Sequence, residues 1–232
     1  NQKPNETRLD LVQKNAKIMT DVVTQIKEQE YKGILLIVSN PVDIMTQVAM
    51  EVSGFPEHRV FGSGTVLDSA RLRYHLGQHL GVDSRSVHAF VIGEHGDSEI
   101  AAWSSANVSG VPLNSFCEMR GHFNHEGNTE SIEEQVKNSA YEIIAKKDAT
   151  YYGIAMVVKR ICQAIVRDEK SIFPISLRMH GEYALEDVVL SMPAIVGARG
   201  IETTIPISLD EKEVSRLHES AEMLRETRKE IR

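Results

Sequence analysis

Apolar residues recur near the helical period from Leu9 through Leu11, Val12, Ala16, Met19, Val22, Val23 and Ile26, and the unbroken run Gly33-Ile34-Leu35-Leu36-Ile37-Val38 follows. The first pattern predicts an amphipathic helix, and the second a strand buried on both faces, as strands of parallel sheets are. Ser39-Asn40-Pro41 then marks a turn, with the proline placed to open a helix over 42–53. Asn40 is thus expected at the carboxyl end of a parallel strand, where open α/β sheets bind their ligands. A glycine-rich turn, Gly62-Ser63-Gly64, precedes a helix predicted over 65–80, and a domain boundary is expected between residues 62 and 63.

Beyond that turn the pattern is less regular. A strand is predicted over 87–92, helices over 132–145 and 151–166, and antiparallel strands over 188–197 and 203–208. Asp210 is placed to cap a final helix that carries Leu217, Ala221 and Leu224 on one face.

Composition narrows the class. With 232 residues, 41% of them hydrophobic and 25% charged, the chain can bury the core of one or two globular domains. The net charge is −7 and the Lys and Arg residues are dispersed among more numerous acids, so no nucleic-acid partner is expected. Cys117 and Cys162 are the only cysteines and form no CxxC, which excludes a thiolate zinc cluster and fits a reducing compartment. The longest apolar run is too short for a bilayer and no secretory leader opens the sequence, so a soluble, cytoplasmic protein without membrane contact is expected. Asn1 in place of Met, in a polar stretch that reads as a loop in progress, predicts an N-terminally truncated chain.

The candidate chemistry gathers in two segments. Gly93-Glu94-His95-Gly96-Asp97-Ser98 frames one imidazole with small and acidic residues, and Asp68-Ser69-Ala70-Arg71 sets a carboxylate and a guanidinium on one helix face. A proton-transferring imidazole needs a carboxylate to fix its tautomer and stabilise its charged form, and an anionic substrate needs a guanidinium to hold it in register. On spacing alone, Asp68 and Arg71 read more readily as an exposed ion pair, and His95 as a structural histidine. The glycines beside His95, which allow close backbone approach, favour the chemical reading. His75 and His79 lie four apart, but Leu76 stands where a metalloprotease helix needs Glu, and His122-Phe123-Asn124-His125 lacks a third ligand; no metal is expected.

Together with Arg8-Leu9-Asp10-Leu11-Val12 and Ser39-Asn40-Pro41-Val42-Asp43, these segments occur in an order that resembles the L-lactate dehydrogenases of the lactate/malate dehydrogenase superfamily. The resemblance runs from Asn1 to the final helix. It implies an α/β chain, with the C-terminal part of a dinucleotide-binding Rossmann domain over 1–62 and a mixed α/β (α+β) substrate domain over 63–232. The implied activity is an NAD-dependent interconversion of pyruvate and L-lactate, with a place in glycolysis and fermentation.

Site roles follow from the same resemblance. His95 resembles the acid/base, Asp68 its orienting carboxylate, Arg71 the bidentate clamp on the substrate carboxylate, and Arg8 the loop arginine that closes over the site and polarises the carbonyl. Asn40, with Ser39 beside it, resembles the residue touching both nicotinamide and substrate oxygen; Thr150 and Ile154 resemble the other wall of that pocket. Without the resemblance, Arg8 reads as a surface residue at a helix start and Thr150 equally well as an N-cap. Gln2 stands where malate dehydrogenases carry an Arg for the second carboxylate of oxaloacetate, and a neutral side chain there favours pyruvate. Arg73 and His88 resemble the pair with which bacterial members bind fructose 1,6-bisphosphate across a subunit interface, and a homotetramer is the usual assembly.

One family feature is missing from the sequence. No G-x-G-x-x-G turn occurs, nor an acid placed after one to take a ribose hydroxyl, so the chain is expected to hold the nicotinamide end of the cofactor and not its adenosine. Two other readings stand beside lactate: a malate or other 2-hydroxy acid dehydrogenase, and a non-catalytic fragment that oligomerises or binds a sugar phosphate.

Overall fold

Helix α1 (Arg8–Glu28) forms where the apolar spacing places it and turns Val12, Ala16 and Val23 into the core, while Val22, counted on the same stripe, faces solvent. A computed structural model describes residues 8–147 and 151–231, without the side chains of residues 8–11, 126 and 140–147. Strand β1 (Leu35–Ile37) runs parallel to β2 (Val60–Gly62), with Leu35 opposite Val60 and Ile37 opposite Gly62. Between them α2 (Val42–Ser53) begins after Pro41 and stops at Gly54, whose φ of 61° suits glycine alone without strain. β1 is not buried on both faces as its run of apolar residues predicts. It is the edge strand of its sheet, Leu36 is half-buried beside an open cavity of about 520 Å³ and Val38 is exposed.

Helix α3 (Val66–Leu80) follows the Gly-Ser-Gly turn. The strand predicted over 87–92 is two short strands: β3 (Val87–His88), paired with β6 (Asn107–Val108), and β4 (Val91–Ile92), paired with β5 (Ile100–Ala101). The break has a cause in α3 and the residue before it. The Thr65 hydroxyl donates to the Val91 carbonyl at 2.5 Å and Ser69 Oγ accepts the Val91 N–H at 2.8 Å, so side chains take the backbone groups a continuous ladder would need. β7 (Val111–Pro112) and α4 (Leu113–Met119) lead to α5 (His125–Lys147), which starts seven residues before the predicted helix because its first turns are polar and carry no apolar period. α6 (Tyr152–Val166) follows.

Of the longest strand pair, the second strand lies where it is predicted over 188–197, and the first is not legible in the pattern. β8 (Ser171–His180) is antiparallel to β2, with Ser176 opposite Gly62, and to β9 (Glu186–Gly197); β10 (Gly200–Thr204) closes the five-stranded sheet in the order β1-β2-β8-β9-β10. Phe173 through Leu177 are buried without alternation and Pro174 interrupts the run, so period and propensity both argue against a strand there. β10 ends at Thr204 rather than at 208, although the Ile205 N–H still reaches the Pro193 carbonyl at 2.7 Å. Asp210 caps α7 (Glu211–Lys229) as predicted: it accepts the Glu213 N–H at 2.8 Å, and Glu213 accepts the Asp210 N–H at 2.9 Å.

Two apolar cores result. The larger joins α1, α2, α6 and α7 to the five-stranded sheet; the smaller packs Leu72, Leu76 and Leu80 of α3 against Val87, Val91, Val108, Leu113, Ile132 and Val136. Cys117 is buried in the smaller core and Cys162 is exposed, and both are free thiols. No helix among the described residues is long and apolar enough to cross a membrane.

Candidate active site

The i, i+3 spacing on α3 puts Asp68 and Arg71 side by side, and the loop after β4 brings His95 to them. Asp68 accepts from Arg71 Nη1 at 3.0 Å with one oxygen and lies 2.8 Å from His95 Nδ1 with the other. The Asp68 side chain is only 4% exposed and that of Arg71 15%, so this is not the solvated surface pair that spacing alone allows. With Asp68 at Nδ1, Nε2 is the nitrogen left to exchange a proton.

Three distant elements fix the loop. Gly93, at φ 83°, exchanges both backbone hydrogen bonds with Ser191 of β9, at 2.9 and 2.8 Å, and a Cβ there would lie 3.0 Å from Ser220 Oγ. The Glu94 N–H donates to Ser220 Oγ of α7 at 2.9 Å, and Ser98 Oγ donates to Glu94 Oε2 at 2.6 Å. The His95 N–H donates to Asp43 Oδ2 of α2 at 2.7 Å; the other Asp43 oxygen accepts the Ser176 hydroxyl at 2.6 Å and the Ser191 hydroxyl at 3.5 Å.

The electrostatics favour a charged imidazole. Burial works against the charge on His95, but the hydrogen bond and negative charge of Asp68, with Asp43 and Glu99 behind, hold its pKa up at about 9. Burial likewise works against the Asp68 carboxylate, and His95 and Arg71 together hold it below its ordinary range. Burial pushes Asp43 up to about 6, against the pull of its Ser176 and His95 hydrogen bonds.

His95, Asp68 and Arg71 are therefore brought together. Ser39 and Asn40 lie exposed at the carboxyl end of β1, with the Asn15 amide donating to the Asn40 carbonyl at 2.9 Å, so the Asn40 side chain is presented by a held backbone. Ile154 is half-buried on α6 against the larger core. An exposed amide at a strand's carboxyl end stands where α/β sheets meet their ligands. Arg73 is half-buried on α3, two residues from Arg71 and so on another face, and His88 is exposed on β3; among the described residues no hydrogen bond or ion pair joins them. Gln2 and Thr150 lie outside the described residues, as does the side chain of Arg8, the first residue of α1.

Asp43 belongs to the site although its local sequence marks no task for it. It reads as an acid at a helix start, where negative charge is ordinary. The distinguishing signal is its setting, a carboxylate in the apolar first turn between Val42 and Ile44-Met45, all of them buried. Because its carboxyl ties the turn carrying Asn40 to the backbone of His95, Asp43→Ala, which leaves the His95 N–H and the Ser176 hydroxyl without their acceptor, is expected to lower kcat about 10²-fold with KM within about three-fold. Steady-state kinetics on the folded variant check this, and a loss confined to KM would contradict it.

Comparison with known proteins agrees with this geometry. Residues 1–62 match the lactate/malate dehydrogenase NAD binding domain, and residues 65–232 match the lactate/malate dehydrogenase alpha/beta C-terminal domain. The L-lactate dehydrogenase of Acetivibrio thermocellus is 48% identical over 226 residues, which cover 97% of this chain and 71% of the relative. L-lactate dehydrogenase 1 of Lactococcus lactis subsp. cremoris is 47% identical over 224 residues, covering 97% and 69%. Among solved structures, the ligand-bound minor L-lactate dehydrogenase from Enterococcus mundtii superposes with a TM-score of 0.95 at 42% identity, over 100% of this chain and 74% of that one. A malate dehydrogenase from Aeropyrum pernix superposes less closely, with a TM-score of 0.89 at 34% identity, over 100% and 73%. The chain belongs to the lactate/malate dehydrogenase family, on the lactate dehydrogenase side.

Proposed function

We propose that His95, Asp68 and Arg71 carry the interconversion of pyruvate and L-lactate in this chain, an NAD-dependent oxidoreductase. The observation that supports the assignment is the continuous arrangement from Arg71 through Asp68 to His95, with hydrogen bonds at 3.0 and 2.8 Å. Arg71 gives one nitrogen to Asp68 and keeps further donors for the substrate carboxylate, in a planar fork that Lys lacks. That contact orients the 2-oxo group toward His95. His95 Nε2 gives its proton to the carbonyl oxygen in reduction and recovers it from the hydroxyl in oxidation, while Asp68 stabilises the imidazolium that precedes one step and follows the other. NADH, when bound, supplies the hydride. Ser39, Asn40 and Ile154 would hold its nicotinamide end.

The remaining assignments belong to the same reading. Arg8 closes over the site and polarises the carbonyl, Thr150 forms the second wall with Ile154, and Gln2 selects pyruvate by leaving a second carboxylate without a counter-charge. Arg73 and His88 contribute to a fructose 1,6-bisphosphate site between subunits of a homotetramer, in a cytoplasmic enzyme of glycolysis and fermentation. The division at residues 62 and 63 separates a cofactor-binding part from a substrate-binding part.

The test is the rate of NADH oxidation by the native polypeptide with pyruvate and then with oxaloacetate. Pyruvate is expected to turn over faster by at least about 10²-fold, the scale on which an unpaired charge in a closed site discriminates. Faster oxaloacetate turnover would remove Gln2 as selector and give the chain a malate specificity.

A further inference from the structure

Glu99 is a buried acid with no task in the reaction above. It stands four residues after His95 at the start of β5, is 5% exposed, and its carboxyl makes no hydrogen bond among the described residues. One of its oxygens, a carboxylate oxygen of Asp68 and a ring nitrogen of His95 all lie within 4.8 Å of one another. A charge on a carboxyl in this position acts on its neighbours through little water.

Charged groups face this carboxyl from every side. Asp68 and Arg71 approach from α3, His95 from its loop and Lys137 from α5. Arg216 of α7 reaches the Glu99 carbonyl oxygen at 3.4 Å, with its guanidinium already paired to Glu133, and Asp43 of α2 faces His95 from the other side. Burial, and then the negative charge of Asp68, push Glu99 up to about 8. A charge on Glu99 in turn makes the imidazole proton of His95 harder to lose.

We propose that Glu99 is a positioning residue for the proton on His95, a buried carboxyl facing the His95–Asp68 pair whose negative charge extends the range over which the imidazole stays charged. The proposal rests on His95 being the acid/base and adds a second proton holder beside it.

Glu99→Gln in the native polypeptide tests it, with the His95 ring C–H followed by NMR and assigned by its absence in His95→Asn. The wild-type titration is expected in two steps, and the variant in one step moved down by roughly one pH unit, the lower end of what an ion within 4–6 Å produces. Pyruvate reduction is then unchanged at pH 6, where Glu99 is neutral in any case, and falls about five-fold at pH 9, the ratio of imidazolium fractions for a one-unit shift. Glu99→Asp, which keeps the charge, retains the two-step curve. An unmoved titration in Glu99→Gln overturns the proposal. If that variant does not fold, a single-step wild-type curve overturns it and a two-step curve that persists in Glu99→Asp sustains it. Absence of wild-type pyruvate turnover at pH 6 would overturn the reaction itself, which the NMR titration does not depend on.

Discussion

His95→Ala is expected to lower kcat for pyruvate reduction by roughly 10³-fold, the middle of the range for a positioned proton donor. NADH affinity is expected to stay within about two-fold, because the loop does not depend on the imidazole for its shape. Gly93, Glu94 and His95 are held through backbone groups, to Ser191, Ser220 and Asp43, and those bonds survive truncation of the side chain. Single-turnover kinetics and NADH fluorescence on the same sample separate the two quantities. A folded variant that no longer bound NADH would give His95 a structural role.

Asp68→Asn is expected to act on both chemistry and stability. The carboxylate answers two cations, and removing its charge leaves Arg71 and the partly buried imidazolium side by side, with only Asp43 and Glu99 left to favour the charge on His95. A change of this kind costs about 3 kcal/mol. Its pH dependence follows from the two shifts. His95 is raised from 6.5 to about 9, so its contribution is fully present below 6.5 and is lost as the pH climbs through 9. Asp68 is lowered from 3.8, so its contribution is present above that value and lost in acid. The stability gap between wild type and variant is therefore widest between about pH 4 and 6.5 and narrows toward pH 9, as denaturant unfolding over that range would measure. The alkaline limb of pyruvate reduction moves down in the same variant, since an imidazole without Asp68 loses its proton earlier. A gap independent of pH would show that the loss is one of packing.

Local signals carried the reacting groups. Asp68 and Arg71 share a helix face at a spacing that needs no tertiary knowledge, His95 sits between glycines, and Pro41 and Gly54 bracket α2. What holds those groups is not local. Asp43 meets His95 across 52 residues, Ser176 across 133 and Ser191 across 148, and each reads in sequence as an ordinary polar residue of a helix or strand. Glu99 was silent for the same reason, since its meaning comes from burial beside Asp68. β8 was missed because both its faces are covered and Pro174 stands inside it, which removes the alternation that announces a half-buried strand. Ser39 and Asn40 were placed correctly because a turn after a strand can be read from Pro41 alone.

The hydroxyl of Ser220 belongs to α7, and α7 follows every other contributor to the centre in chain order. During synthesis, the histidine, the acids and the arginine all leave the ribosome before the group that receives the Glu94 amide. Until α7 docks, the loop that carries His95 therefore lacks one of its three anchors, and the reacting side chains are present in the nascent polypeptide before the geometry that orders them is complete.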